Sequence, residues 1–349
     1  MAKITILGSG ITGMSIASQL PKDSDITILG EFLPGDPMDQ RYVSQWAGAI
    51  WLGVHTSTPR EQKMQLGSFS ELWRIAERYP ESGARTIEMT EINDYGDKEQ
   101  VWYQGKVPGF RFLEHHELPR GAKFGMKYQT IVITPPTFIC WLRSRLEEQG
   151  VKFKRTFVRS LRDLKGMGHD VLINATGFGS VKLLDVEEKR IVPVRQQNIR
   201  IRNDQYNRLY IRRGGDGYYS TAFARGDGTV YIGGIKTEGE SNFDAIVEQR
   251  NIIMRQQHEN QPSVFPSPNP LDYDFITDHV GVFPMIRAEN GGVRVEKQRL
   301  NGQNIVHAYG QEAGGYTFSF GLARQVAQYV NDYLAELPAA TSEPIPSKL

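Results

Sequence analysis

Gly8, Gly10 and Gly13 stand in the spacing G-x-G-x-x-G within "ILGSGITG". Behind a strand and ahead of a helix, that spacing handles phosphate. Gly8 allows the tight turn, Gly10 lets a pyrophosphate approach the backbone at the helix N-terminus, and Gly13 lets helix and strand pack closely. Glu31, 21 residues after Gly10, is placed to accept hydrogen bonds from a ribose. A second cluster, "HAYGQEAGGYTFSFG" at 307–321, puts Gly310, Gly314 and Gly315 just ahead of a helix-like run. Backbone N–H groups and a helix N-terminus there favour negative charge, which suits the N1/C2 carbonyl edge of an isoalloxazine.

The elements that must hold these residues are readable in part. "KITIL" (3–7) is a short buried strand, "MSIASQL" the helix after the glycines, and "DITIL" (25–29) the next strand. Together they form a βαβ unit, the context a lone glycine fingerprint needs. Residues 145–158 suggest a helix ending at Gly150 and then the strand "VKFKRTFV", and "DVLINATGFGS" (170–180) is another buried strand running into glycines. "QNIRIRN" and "TVYIGGIK" alternate like antiparallel strands, and 214–228 is a turn-rich hairpin region with Tyr218 and Tyr219 near its tip. "GGVRVE" (291–296) is a short strand, and apolar residues at 322, 326, 330, 333 and 337 make a helical stripe closed by Pro338.

Composition narrows the function classes. The 349 residues suffice for two domains, or for one large α/β unit with an inserted layer. Lys plus Arg number 41 against 40 Asp plus Glu, so no global field draws the chain to nucleic acid or an anionic membrane. No run of about 18 apolar residues spans a bilayer, and no secretory leader is expected ahead of "KITIL". Cys140 is the only cysteine and the seven histidines are scattered, which leaves no thiolate cluster and no metal-ligand spacing.

The ordered motifs carry a resemblance. "ILGSGITGMS", "VSQWAGAIW" (43–51), "INATGFGS", "VGVFPMIRAENGGVRVE" (280–296) and "VHAYGQEAGGYTFSFGLA" resemble, in sequence order, segments of the D-amino acid oxidase family of FAD-dependent flavoproteins, D-aspartate oxidase included. The resemblance covers about residues 3–335. It implies an α/β fold, a Rossmann-like FAD-binding domain with an antiparallel-sheet substrate domain. The FAD domain would be discontinuous over 1–60, 140–190 and 280–337, with 61–139 and 191–279 forming the substrate domain and 338–349 a flexible tail. It implies FAD contacts at Gly8, Gly10, Ile11, Thr12, Gly13, Glu31, Ser44, Ala47, Gly48, Val158, Gly177, Gly310, Ala313, Gly314, Gly315, Tyr316 and Thr317. Arg294 aligns with the family's substrate-carboxylate clamp, for which a planar guanidinium is suited; the bland reading is an ion pair with Glu296 at i+2. The family's carboxylate-holding tyrosine falls at Thr221, with Tyr218 or Tyr219 as replacements, and Lys236 and Thr317 complete the expected pocket.

Flavin carries the hydride chemistry, so no catalytic acid–base pair is demanded, and none stands out. "GFGSVK" lacks the third glycine of a second nucleotide fingerprint, so substrate rather than NAD(P)H is expected to supply the electrons. The resemblance implies oxidation of a small D-amino acid, with O2 taken up and H2O2 released. The alternatives are an oxidase preferring D-aspartate or D-glutamate, a relative oxidising another small amine or hydroxy acid in a biosynthetic pathway, and a flavin-binding protein without turnover. Ser347-Lys348-Leu349 reads as a peroxisomal address, with the import receptor as partner and the Pro-containing stretch before it extended. A homodimer is compatible with all of this.

Overall fold

β1 (Lys3–Leu7) is an apolar run buried along its length after Lys3, as expected for an inner strand of a covered parallel sheet. It pairs in parallel with β2 (Asp25–Gly30) from Lys3↔Asp25 to Leu7↔Leu29, and α1 (Ile11–Gln19) is the crossover between them. In the computed structural model, which describes residues 1–337, the chain continues through α2 (Val43–Trp46), α3 (Pro59–Arg78), β3 (Ala84–Asn93), β4 (Arg111–Phe112), β5 (Phe124–Ile133), α4 (Pro135–Glu148), β6 (Lys152–Arg155) and β7 (Val171–Asn174). It then forms β8 (Ile191–Arg202), β9 (Leu209–Arg213), β10 (Tyr219–Ala224), β11 (Thr229–Glu238), α5 (Val247–Asn260), β12 (Phe275–Ile286), β13 (Arg294–Leu300), β14 (Gln303–Tyr309) and α6 (Gly315–Ala335). The expected tail, 338–349, lies outside the described residues.

Two sheets result. One has the order β13-β14-β7-β1-β2-β6, parallel except for the β13–β14 hairpin. The other has the order β12-β8-β11-β10-β9-β3-β5-β4, antiparallel except where β9 lies parallel to β3. The first sheet sets up the site. β1 lies between β2 and β7, and β14 flanks β7, so the loops after four neighbouring strands open at one sheet edge. Those loops carry Gly8–Gly10, Glu31, Ala175–Gly177 and Gly310, at the carboxyl ends where α/β sheets bind ligands.

Three expectations from sequence are corrected. The helix expected from about 145 to Gly150 is α4, which begins ten residues earlier at Pro135 and stops before Gly150. Pro at the first helical position needs no N–H partner there, and Gly150 takes the left-handed φ of +88° that ends the run. The expected domain border at 279/280 cuts β12, whose ladder with β8 runs from Thr277↔Arg200 to Ile286↔Ile191, so 280–286 belong to the antiparallel sheet. α3, expected in the substrate domain, packs on β3 and β5 of that layer but most extensively on α6 of the cofactor layer.

That crossing is unusually close. Thr58 and Glu61 form a reciprocal capping box that fixes where α3 starts. Further along, the helix meets α6 at glycines: a Cβ on Gly321 would lie 1.8 Å from the Met64 carbonyl oxygen. The Gly321 N–H donates to Ser68 Oγ at 2.9 Å. Gly321→Ala should therefore force the helices apart and cost about 1–3 kcal/mol or more, as overpacked cores do. Urea unfolding measures it, and an unchanged midpoint would contradict so tight an approach.

Candidate active site

A cavity of about 1430 Å³ runs from the glycine turn after β1 to the concave face of the antiparallel sheet. At one end the turn is built by contact as much as by conformation. Gly8 has φ +122°, and a Cβ there would lie 2.2 Å from the Ala175 carbonyl oxygen, so β1 and the strand end of β7 touch without a side chain between them. A Cβ on Gly10 would lie 2.7 Å from Ser44 Oγ, and that hydroxyl accepts the Ile11 N–H at 3.0 Å. Gly10 thus makes room for Ser44 at the start of α1, a refinement of its expected role. Tyr42, buried, donates its hydroxyl to Ser9 O at 2.7 Å and braces the turn from below. Glu31 lines the cavity at the end of β2, with Arg41 Nη1 3.1 Å from its carboxylate.

Midway, residues 310–317 and 44–50 face each other. Gly314 and Gly315 begin α6, so Tyr316 and Thr317 lie in its first turn rather than in a preceding loop. Tyr316 donates to Ser44 O at 2.9 Å, and Thr317 Oγ1 to Ile50 O at 3.4 Å. The trough therefore combines a βαβ glycine turn, an acid at the second strand, and a second helix start, with Val158 and Gly177 on its walls. A Cβ at Gly8 or Gly10 would push against Ala175 O or Ser44 Oγ, so both glycines hold the turn that shapes this end of the trough. This donor set fits FAD along its length.

At the far end, Tyr219, Thr221 and Phe223 alternate along β10 and line the cavity from one face of the sheet. Tyr219 is paired across the ladder with Arg213 of β9, so phenol and guanidinium stand side by side. Arg213 was not expected. Its Nε donates to Glu91 Oε1 at 3.0 Å, and Glu91, fully buried, also accepts from Tyr103 (3.0 Å) and Tyr128 (3.1 Å). Burial opposes the Arg213 charge, but the adjacent Glu91 carboxylate outweighs it, so the guanidinium is held above its ordinary pKa and remains a cation. Tyr218 lines the cavity with its hydroxyl accepting from Asn260 Nδ2 at 2.8 Å, whereas Thr221 donates to Tyr210 O at 2.9 Å within the sheet. Lys236 also lines the cavity, ion-paired with Glu312 at 3.3 Å.

Two expected site residues do not line it. Gly13 faces the inside of the turn, where a Cβ would lie 1.9 Å from Gly8 O; its role is packing, not ligand contact. Arg294, the expected clamp, is engaged elsewhere. Nη1 donates to Glu188 Oε2 at 2.9 Å and to the Tyr309 hydroxyl, and Nε donates to Glu296 Oε1 at 2.7 Å. The pair with Glu296 is real, but the buried Glu188 anchors it, and no spacing rule connects 188 with 294. The sequence signal that could have exposed Arg213 is an arginine pointing to the same face as Tyr219 across a short turn, legible only with the strand register in hand.

Comparisons with known proteins agree with this geometry. Residues 3–329 match the model of a family described as FAD dependent oxidoreductase. A D-aspartate oxidase of Talaromyces thermophilus is 31% identical, the match covering 94% of this chain and 95% of that one. A D-amino-acid oxidase of Fusarium vanettenii is 28% identical, covering 94% and 96%. Among solved structures, glycine oxidase from Bacillus cereus superposes with a TM-score of 0.73 at 14% identity, over 95% of each chain, which speaks for the fold. The chain belongs to the FAD dependent oxidoreductase family, and FAD is its cofactor.

Glu188 offers a pH test. Hydrogen bonding from Arg190, and further support from Tyr309, hold its carboxyl at about 2 instead of the ordinary 4.5. A carboxyl held below its unfolded value adds stability above about pH 4.5 that is lost as pH falls toward 2, here about 3 kcal/mol. Glu188→Gln should lower stability at pH 7 by about that amount and flatten the decline between pH 4.5 and 2, measured by urea unfolding across pH. An unflattened acid limb would remove Glu188 from this account.

Proposed function

We infer that the protein oxidises D-amino acids. The names of its relatives support the substrate class, and one observation supports where the substrate sits: the Arg213–Tyr219 pair on the cavity face of the antiparallel sheet. When bound, FAD would supply the oxidising power for hydride removal from the substrate Cα, with O2 as final two-electron acceptor and H2O2 as product. The resulting imino acid is hydrolysed to keto acid and ammonia.

The chain's part is positioning. Arg213 holds the substrate carboxylate through nitrogens other than the Nε committed to Glu91, and the Tyr219 phenol donates a second hydrogen bond. Glu91 keeps the guanidinium from swinging away. Lys236 is balanced by Glu312, so a second carboxylate meets no unpaired cation on that wall, and the reading does not narrow to acidic substrates. The H2O2 product also supports a peroxisomal setting, proposed here on that ground and on Ser347-Lys348-Leu349.

Peroxide release over a panel of D- and L-amino acids tests the class; activity confined to L-isomers would refute it. Tyr219→Phe should raise KM by roughly tenfold or more, since a hydrogen bond to a charged group is worth about 1.5–3 kcal/mol. Arg213→Lys keeps the charge beside Glu91 but loses the fork, and should lower kcat/KM by at least about tenfold. Arg294→Lys should stay within about threefold. The reverse pattern, with Arg294→Lys crippled and Arg213→Lys intact, would return the clamp to Arg294. For localisation, an N-terminal fluorescent fusion should be punctate and become diffuse when residues 347–349 are removed; identical diffuse patterns would end the proposal.

A further inference from the structure

Residues 46–48 run along the cavity wall with their carbonyls turned away from it. His279 Nε2 donates to Trp46 O at 2.7 Å. Arg225 donates through Nη2 to Ala47 O at 2.9 Å and through Nε to Gly48 O at 2.6 Å. Neither His279 nor Arg225 lines the cavity, whereas Trp46, Ala47 and Gly48 all do. In a trans peptide the C=O and the following N–H point in opposite directions. Fixing the Trp46 and Ala47 carbonyls outward therefore aims the Ala47 and Gly48 N–H groups inward. The other side of the same cavity stretch is the start of α6, joined to this segment through Tyr316–Ser44 and Thr317–Ile50.

Arg225 is an unusual choice for the task. It is 4% exposed, and no carboxylate lies within ion-pair distance of it among the described residues. Asp227, nearby in sequence, is paired with Arg200 at 3.8 Å. The guanidinium instead lies 4.9 Å over the Tyr231 ring. Burial lowers its pKa only to about 10, so it stays charged at neutral pH. His279 stays neutral: burial first, then the Arg225 charge, depress its pKa to about 3, which fixes the Nε2–H that Trp46 O requires. Any donor would satisfy a carbonyl, and burying an uncompensated cation to do so is costly. A cation bound to a carbonyl also polarises that peptide, strengthening its N–H as a donor.

We propose that Arg225 is a positioning residue for the cofactor: it turns the Ala47–Gly48 peptide so that the N–H faces the flavin trough, and its charge, relayed through that peptide, favours the electron-rich form of the bound flavin. His279 sets the preceding peptide in the same sense without a charge. The proposal rests on FAD being the occupant of the trough, and not on the substrate reading.

The test uses holoenzyme carrying Arg225→Met, which removes charge and fork, and Arg225→Lys, which keeps charge and one donor. Two readouts are taken without substrate: the flavin reduction potential and the equilibrium affinity for sulfite, followed by loss of flavin absorbance. Arg225→Met should weaken sulfite binding tenfold or more and lower the potential by at least about 30 mV, the two-electron equivalent of tenfold. Arg225→Lys should stay within about threefold of the parent on the same affinity scale. A parent-like potential and sulfite affinity in Arg225→Met would overturn the proposal. So would equal losses in both variants, which is what a purely structural role predicts. If Arg225→Met does not fold, Arg225→Lys decides: a tenfold loss of sulfite affinity with FAD retained overturns the charge assignment, and retention within threefold supports it. Because sulfite and potential need no amino acid, failure here is separable from failure of the substrate reading.

Discussion

A stretch of chain with little regular structure that runs between two layers must find a donor for nearly every carbonyl it buries. Residues 44–51, the end of α2 and the stretch after it, meet that requirement with donors from α6, β12, β5 and the residue just past β10. Tyr316 and Thr317 of α6 serve Ser44 and Ile50, His279 of β12 serves Trp46, and Arg225, just past β10, serves Ala47 and Gly48. Ile133 N–H and Thr130 Oγ1 of β5 serve Ala49 and Trp51. Because the donors come from the antiparallel sheet and from α6 of the cofactor layer, this segment registers the one layer against the other. The wall made by the start of α6 and the wall made by the antiparallel sheet are thereby tied to one backbone.

Much of the cofactor end was legible in the sequence because its logic is local. The βαβ unit needs only a strand, three glycines, a helix, a strand and an acid within about 30 residues. The late glycine cluster likewise announced a strand end and helix start, although α6 begins at Gly315, seven residues ahead of the visible apolar stripe at 322–337. Alternation marked β8 and β11 as antiparallel strands, and the ladder from Thr229↔Arg202 to Glu238↔Val194 pairs them with each other in that sense.

The substrate end was legible only in part: Tyr218, Tyr219, Thr221 and Lys236 line the cavity, but its arginine was missed, and the reason is long-range pairing. Glu91 and Arg213 are separated by 122 positions, and they meet because β9 lies parallel to β3 in an otherwise antiparallel sheet. Glu188 reaches Arg294 across 106 positions by the same kind of accident of topology. Motif reading assigned Arg294 by its neighbours in sequence, whereas its neighbours in space are a buried carboxylate and a tyrosine that occupy its donors. An arginine's role is set by which carboxylate it meets first, and periodicity carries no information about that.

The glycine crossing of α3 and α6 bears on how the molecule moves. α3 leads directly into β3 of the antiparallel sheet, and α6 leads out of the flavin trough, so the two layers are riveted where Gly321 meets Met64 and Ser68. Clamshell opening of one layer from the other would have to tear that contact and the 44–51 tethers together. Traffic of amino acid and product is left to smaller doors. The turn Gly214-Gly215-Asp216-Gly217 lines the cavity rim, joins β9 to β10 and brings no bulky apolar side chain to the core. With the layers tied this way, any change of aperture falls to a few residues at a time, and the Arg213–Tyr219 face keeps its register with the glycine turn.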